Sequence, residues 1–191
     1  MLAESAAIHN TSSDVTYRSV GFVQALRLPA DLYRNFIERF YSSDELLKVR
    51  KVEERLRHTF LFSDAVTNTT LFQLAKNCNI TRLQAGRRFK GEPGQLHLIG
   101  KGRLARGKDE KALVMGKGEF WGYDSLFAAM NRVAEAVSAA ADLPLIALDS
   151  CEVYSVPLKQ VARIPVVRWK LFEAFRNAHP YAAPRYRGTA R

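Results

Sequence analysis

Cysteine is scarce in this chain: the 191 residues contain only Cys78 and Cys151, far apart and at no metal-ligand or redox spacing. That excludes a disulfide framework and a thiolate metal centre. Each thiol lies in an apolar context, which predicts two buried structural residues in a reducing compartment. Histidine is also sparse, with four residues and no H-x-H pair, so no metal site is expected. No apolar run approaches the roughly 18–20 residues of a spanning helix, which predicts a soluble or membrane-peripheral protein. A P-loop, a dinucleotide fingerprint and any Ser-His-Asp or Cys-His arrangement are missing, so no catalytic residue is assigned and no enzyme is expected.

Acidic residues are the minority charge, 19 against 29 Lys and Arg, for a net charge of +10. The excess is concentrated. Eight basic residues face only Glu92 between Arg82 and Lys108, and eight face only Glu173 between Pro157 and Arg191. Such patches attract acidic protein faces, RNA or anionic lipid, or are simply a solvated basic surface. The first residues carry no secretory signal, and Glu4 and Asp14 interrupt any positive amphipathic helix there. The basic bias suits a mitochondrial setting, with the cytoplasm as the alternative.

Residues 1–25 read as a polar, extended arm. A helical extension follows over 26–59. Pro29 suits a first helical turn, and Leu32, Phe36, Ile37, Phe40 and Tyr41 recur at helical spacing as one apolar face. Ser42-Ser43-Asp44 breaks that helix and caps a second, whose stripe is Leu46, Val49, Val52, Leu56 and Phe60. Asn68-Thr69-Thr70 then caps a short helix burying Leu71, Leu74, Ala75 and Cys78. From Ile80 to Pro157 glycines punctuate short apolar runs, the texture of an antiparallel barrel or sandwich. An alanine-rich helix after Ser125 interrupts it. Pro165 opens a last helix with Val166, Val167, Leu171, Phe172 and Phe175 as its contacts. The basic tail 177–191 lacks any packing pattern and is expected to order only on a partner.

The order of these pieces over 60–176 resembles the cyclic-nucleotide-binding domain family. LFSDAVTNTTLFQLAKNC is similar to the helix before the family's β-roll. GEPGQLHLIGKGRL resembles its glycine-turn, strand, glycine, strand signature. There Gly91 and Gly94 permit the positive φ of a tight turn, and Gly102 reverses the chain. MGKGEFWGYDSLF resembles the approach to the phosphate-binding cassette, and ALDSCEVYSVP the closing strands. A shorter stretch, RLPADLYRNFIERFY, is similar to the linker helices of cyclic-nucleotide-gated channels. The resemblance implies an α+β fold: an antiparallel β-roll, jelly-roll-like, flanked by N-terminal and C-terminal helices.

It also implies where a ligand would sit. In the family a short helix N-terminus and an arginine hold the cyclic phosphate, and a glutamate after the cassette glycine holds the ribose hydroxyl. Gly122 matches the glycine, but Tyr123 stands at the glutamate position, with Asp124 one residue off and Ser125 following. Counting forward from Gly122 puts Arg132 at the phosphate. Counting back from ALDSCEV puts Ala141 there, and the arginine is lost. Trp121 and Tyr123 read as core or pocket-filling aromatics, and His97 as a packed strand residue. A degenerate nucleotide pocket made of Gly122, Tyr123, Asp124, Ser125 and Arg132 predicts a non-catalytic accessory subunit of a larger assembly. Its partners are other protein subunits, with RNA or anionic lipid as further contacts. Arg185, Arg187 and Arg191 form an interaction surface, and no cofactor is needed. The alternative is a working sensor with cAMP or cGMP as ligand, whose last helix moves on binding.

Overall fold

In a computed structural model of the chain, the described residues are 3–13, 15–63, 66–106, 113–128 and 145–178. They form two compact units, Met1–Asn77 and Cys78–Arg191. The alanine-rich stretch, Arg132 and the tail arginines Arg185, Arg187 and Arg191 lie outside the described residues.

The first unit holds α1 (Glu4–His9), α2 (Ala30–Glu38), α3 (Ser43–Arg57) and α4 (Asn68–Lys76). The Ser42 signal acts as read. Its hydroxyl accepts from the Glu45 amide while the Glu45 carboxylate accepts from the Ser42 amide, a complete capping box. The cap of α4 comes one residue earlier than expected: Thr67 Oγ1 accepts from the Thr70 amide. Leu71, Leu74 and Ala75 are buried as the pattern required, and Phe72 joins them. Because α4 packs on α3 and α1, it belongs to this helical unit.

Two expectations fail in this unit. Residues 1–25 are not wholly extended, since α1 forms near the start. Its anchor is polar, which is why hydropathy did not reveal it. Glu4 is buried, accepts from Tyr33 Oη at 2.8 Å and Gln73 Nε2 at 2.6 Å, and pairs with Lys76 Nζ at 3.4 Å. Burial and the Glu4 carboxylate push the Tyr33 phenol well above the usual range. At the other end of α1, His9 Nε2 meets buried Glu53 at 2.8 Å. Second, the packed side of α2 is Tyr33 and Ile37, whereas Leu32, Phe36 and Phe40 are exposed. In α3, Val52 and Leu56 are buried, but Phe60 beyond its end is exposed.

The second unit contains eight short strands in two four-stranded antiparallel sheets, and no closed barrel forms among the described residues. One sheet has the order β1 (Asn79–Leu83), β8 (Cys151–Pro157), β3 (Gln95–Lys101), β6 (Phe120–Trp121). The other has the order β2 (Arg88–Phe89), β7 (Leu145–Ala147), β4 (Leu104–Arg106), β5 (Leu113–Met115). Both contribute to one core. Ile99, Val153, Trp121 and Cys151 from the first sheet meet Leu104, Met115, Leu145, Ala147 and Phe89 from the second. Leu96, Leu98, Tyr154 and Val156 are buried as well, so β3 and β8 are covered on both faces. This is the α+β antiparallel β-roll that the family resemblance implied, within the antiparallel class that the glycine-punctuated runs predicted.

Both thiols are buried, and burial raises the pKa of Cys151, whose Sγ–H points at the Arg103 carbonyl. The turn before β3 corrects the reading of its glycines. Gly94 has the positive φ (75°), while Gly91 is needed for space, because a Cβ there would lie 2.7 Å from His97 Nε2.

Among the described residues this unit also holds α5 (Asp124–Ala128), α6 (Leu158–Val161) and α7 (Pro165–Ala178). α6 packs on β3 and β8, and α7 on α5. Val167, Leu171 and Phe175 are buried along α7. Phe127 of α5 stacks against Phe175 with centroids 5.2 Å apart and meets half-buried Phe172 at 5.7 Å. Trp169 points to solvent.

Candidate functional site

The site is set by how the chain leaves β6. Trp121 is the last strand residue, and Gly122 follows with φ 90°. A Cβ at Gly122 would lie 2.4 Å from the Gln95 carbonyl oxygen, so only glycine lets the turn press against β3. The chain then passes Tyr123 and enters α5 at Asp124.

A pocket of about 320 Å³ opens beside this turn. Leu113 and Met115 of β5 give it apolar surface, and Phe120, Trp121 and Tyr123 give it an aromatic wall. Its charged groups are Arg106 at the end of β4, Glu119 and Asp124. Ala178, at the end of α7, closes one side. Sequence reasoning pointed to Gly122, Tyr123, Asp124 and Ser125: Tyr123 and Asp124 line this pocket, Gly122 forms the turn beside it, and Ser125 is exposed on α5. It missed Arg106. That arginine belongs to a basic run that reads as surface, and only the pairing of β4 with β5 and β7 turns it toward the pocket.

The electrostatics are unusual for a phosphate site. Asp124 is the first residue of α5, and its carboxylate complements the positive end of that short helix. Glu119 adds a second negative charge and accepts a hydrogen bond from the Gly116 amide. Arg106 is the cation found among the described residues of the lining, and its buried Nε has no hydrogen-bond partner among them. Tyr123 cannot replace an acid. Burial first, then the neighbouring Asp124, push its phenol up to about 12, so it stays neutral; Arg106 opposes the shift. Its ring lies against Phe120 with centroids 5.5 Å apart.

Behind the aromatic wall lies a packed cluster. His97 is buried between Trp121 (5.1 Å) and Phe89 (5.3 Å). Its Nδ1 is 2.8 Å from Ser155 Oγ, and its other contact is the Glu92 backbone. Burial lowers the His97 pKa to about 4, so the ring is neutral and Nδ1 accepts from the serine hydroxyl. These residues fill space, as the alternating strand pattern predicted for His97 and Trp121. Asp149 and Glu152, near the β7–β8 turn, hold surface arginines: Arg103 at 3.0 Å and Arg82 at 3.2 Å. No group of three or more His, Cys, Asp or Glu residues suited to a metal occurs among the described residues.

No protein-family model matches the sequence, and no curated protein matches it. Solved structures do. The chain is similar to cAMP-bound PfPKA-R (TM-score 0.55, 17% identity, covering 77% of this chain and 51% of that one). It is similar to the regulatory domain of Toxoplasma gondii PKA crystallised with cAMP (TM-score 0.52, 12% identity, 75% and 56%). It also resembles the regulatory subunit of a cAMP-independent protein kinase A from Trypanosoma brucei (TM-score 0.51, 17% identity, 78% and 53%). The chain thus spans about half the length of each of these proteins. With the β-roll, the cassette-like turn after Gly122 and the closing helix all in order, the chain has the fold of the cyclic-nucleotide-binding domains.

Proposed function

We propose that this protein is a non-catalytic, cyclic-nucleotide-binding-like module that serves as an accessory subunit of a larger assembly, with a degenerate nucleotide pocket. The observation that carries this reading is the carboxylate of Asp124 on the first residue of α5. A cyclic phosphate placed there would meet negative charge where the family's geometry calls for a positive helix end. Tyr123, neutral and packed, offers no substitute for the ribose-binding acid. The fold then persists as a rigid scaffold, since function rests with the site and not with the fold. The basic bias favours a mitochondrial assembly, and the exposed cations Arg87, Arg88 and Lys101 offer contacts to acidic proteins, RNA or anionic lipid.

The test is size fractionation of the tagged chain from its native source, with and without added cAMP or cGMP. Co-migration with a stable large complex in every condition is expected. A lone monomer or dimer whose size responds to nucleotide would favour the alternative, a cAMP or cGMP sensor. One feature speaks for that alternative: the unbonded Nε of Arg106 at the pocket.

A further inference from the structure

The most exposed apolar surface lies far from the pocket in sequence, in the segment that precedes α2. Val20, Phe22 and Leu26 are fully exposed, and Leu28 is more than half exposed. Beyond the bend at Val20–Gly21, residues 22–28 adopt no helix or strand, and their backbone makes no hydrogen bond among the described residues. The sequence FVQALRL places Phe22, Leu26 and Leu28 two or four positions apart, on one side of an extended chain. Its length is that of a typical strand. The exposed Leu32 and Phe36 of α2, with Phe40 just beyond its end, continue this surface along the chain. These seven side chains, at about 100 Å² or more each, approach the ~800 Å² that one side of a standard interface buries. A monomer's largest apolar patch is typically only about 300–600 Å².

We infer that residues 22–28 dock as an added β-strand on the exposed sheet edge of a different, acidic protein. This rests on the accessory-subunit reading and names the surface that reading needs. A sheet edge supplies both things the segment lacks, backbone partners and an apolar face for alternate side chains. Hydrocarbon supplies only the second, because unbonded N–H and C=O groups are costly there. A second copy of this chain is disfavoured by charge. The segment carries Arg18 and Arg27 with no acidic residue between Asp14 and Asp31, and each copy is at +10. An edge lined by Asp and Glu complements the two arginines and excludes the self-pairing that exposed strands invite.

The experiment is hydrogen exchange on the full chain, alone and within its native assembly, combined with a photocrosslinker in place of Phe22. Amides 22–28 are expected to exchange at free-peptide rates in the isolated chain and to be protected in the assembly. The crosslink should fall on a strand of a partner that presents acidic residues. Phe22→Asp with Leu26→Asp should lower the assembly-bound fraction by about tenfold or more. Both positions are fully exposed, so the fold should keep its melting temperature. Unprotected amides in an assembly that still contains the chain would overturn this inference alone. A wild-type chain that never leaves the free fraction would overturn the accessory reading and the inference with it. Protection that arises in the isolated chain with rising concentration would assign the strand to a second copy. Protection on adding vesicles of anionic lipid would assign it to a membrane. Either would overturn the acidic-partner proposal.

Discussion

Gly122 and His97 show how single residues shape the pocket wall. Gly122 combines a positive φ with a carbonyl oxygen where a Cβ would be, so both the backbone and the packing oppose any side chain. Gly122→Ala is expected to cost about 2–4 kcal/mol, read as a lower urea midpoint, with the strain alone supplying about 1–3. An unchanged midpoint would show that the turn is not held against β3. His97 makes a prediction about pH. Its folded pKa, about 4, lies below the 6.5 of an unconstrained imidazole, so between these values the unfolded chain binds more protons than the folded one. Stability is therefore complete above pH 6.5, falls as pH drops toward 4, and levels off below, by about 3 kcal/mol from this residue. Proton NMR of the imidazole tests it. His97 should keep its neutral-ring shift down to pH 5, and an ordinary titration near 6.5 would refute its burial between Trp121 and Phe89.

Among the elements, α7 and α1 illustrate two ways of anchoring a helix. In α7 the anchor is apolar. Phe175 is buried against Phe127, whereas Trp169, two turns earlier, is 63% exposed. Phe175→Ala should destabilise the β-roll unit by about 3–5 kcal/mol, and Trp169→Ala by no more than about 0.5 kcal/mol. Equal losses in thermal melts would mean that α7 packs by a different face. In α1 the anchor is polar. Glu4→Ala strips the partner from Tyr33, Gln73 and Lys76 together and should cost about 2–4 kcal/mol in the helical unit. Proteolysis should then begin within α1. The contrast explains what was legible beforehand. The antiparallel strands were readable because glycine spacing and alternating apolar residues encode them directly, and the resemblance to a known family supplied their arrangement as a β-roll. The anchor of α7 was readable from Val167, Leu171 and Phe175. α1 was not, because Glu4 and His9 look like solvent-facing residues until Tyr33 and Glu53 are brought beside them. For α2 the spacing was right and Ile37 packs as read, but Leu32, Phe36 and Phe40 are exposed and Tyr33 is buried instead. Leu32, Phe36 and Phe40 form as good a stripe as Tyr33 and Ile37, and only the packing decides between them.

For the whole molecule, the proposed reading is a β-roll that serves as a scaffold, with a pocket whose described residues do not carry the charge pattern for a cyclic phosphate. Tyr123 and Asp124 could be singled out from sequence because they follow the glycine of a recognisable turn, Gly122. Arg106 could not, because its role depends on which strand lies beside β4. Among the described residues the pocket presents Arg106, the carboxylates of Glu119 and Asp124 and a neutral Tyr123, a set that offers little to hold a cyclic phosphate. With α7 anchored by buried aromatic packing, a weak ligand also lacks the differential affinity to move it. Isothermal titration calorimetry of the purified chain with cAMP and with cGMP tests this most directly. The account predicts no saturable heat up to about 1 mM nucleotide, equivalent to binding weaker than about −4 kcal/mol. Saturable binding at micromolar or tighter affinity, about −8 kcal/mol, would contradict it and restore the pocket as a working sensor.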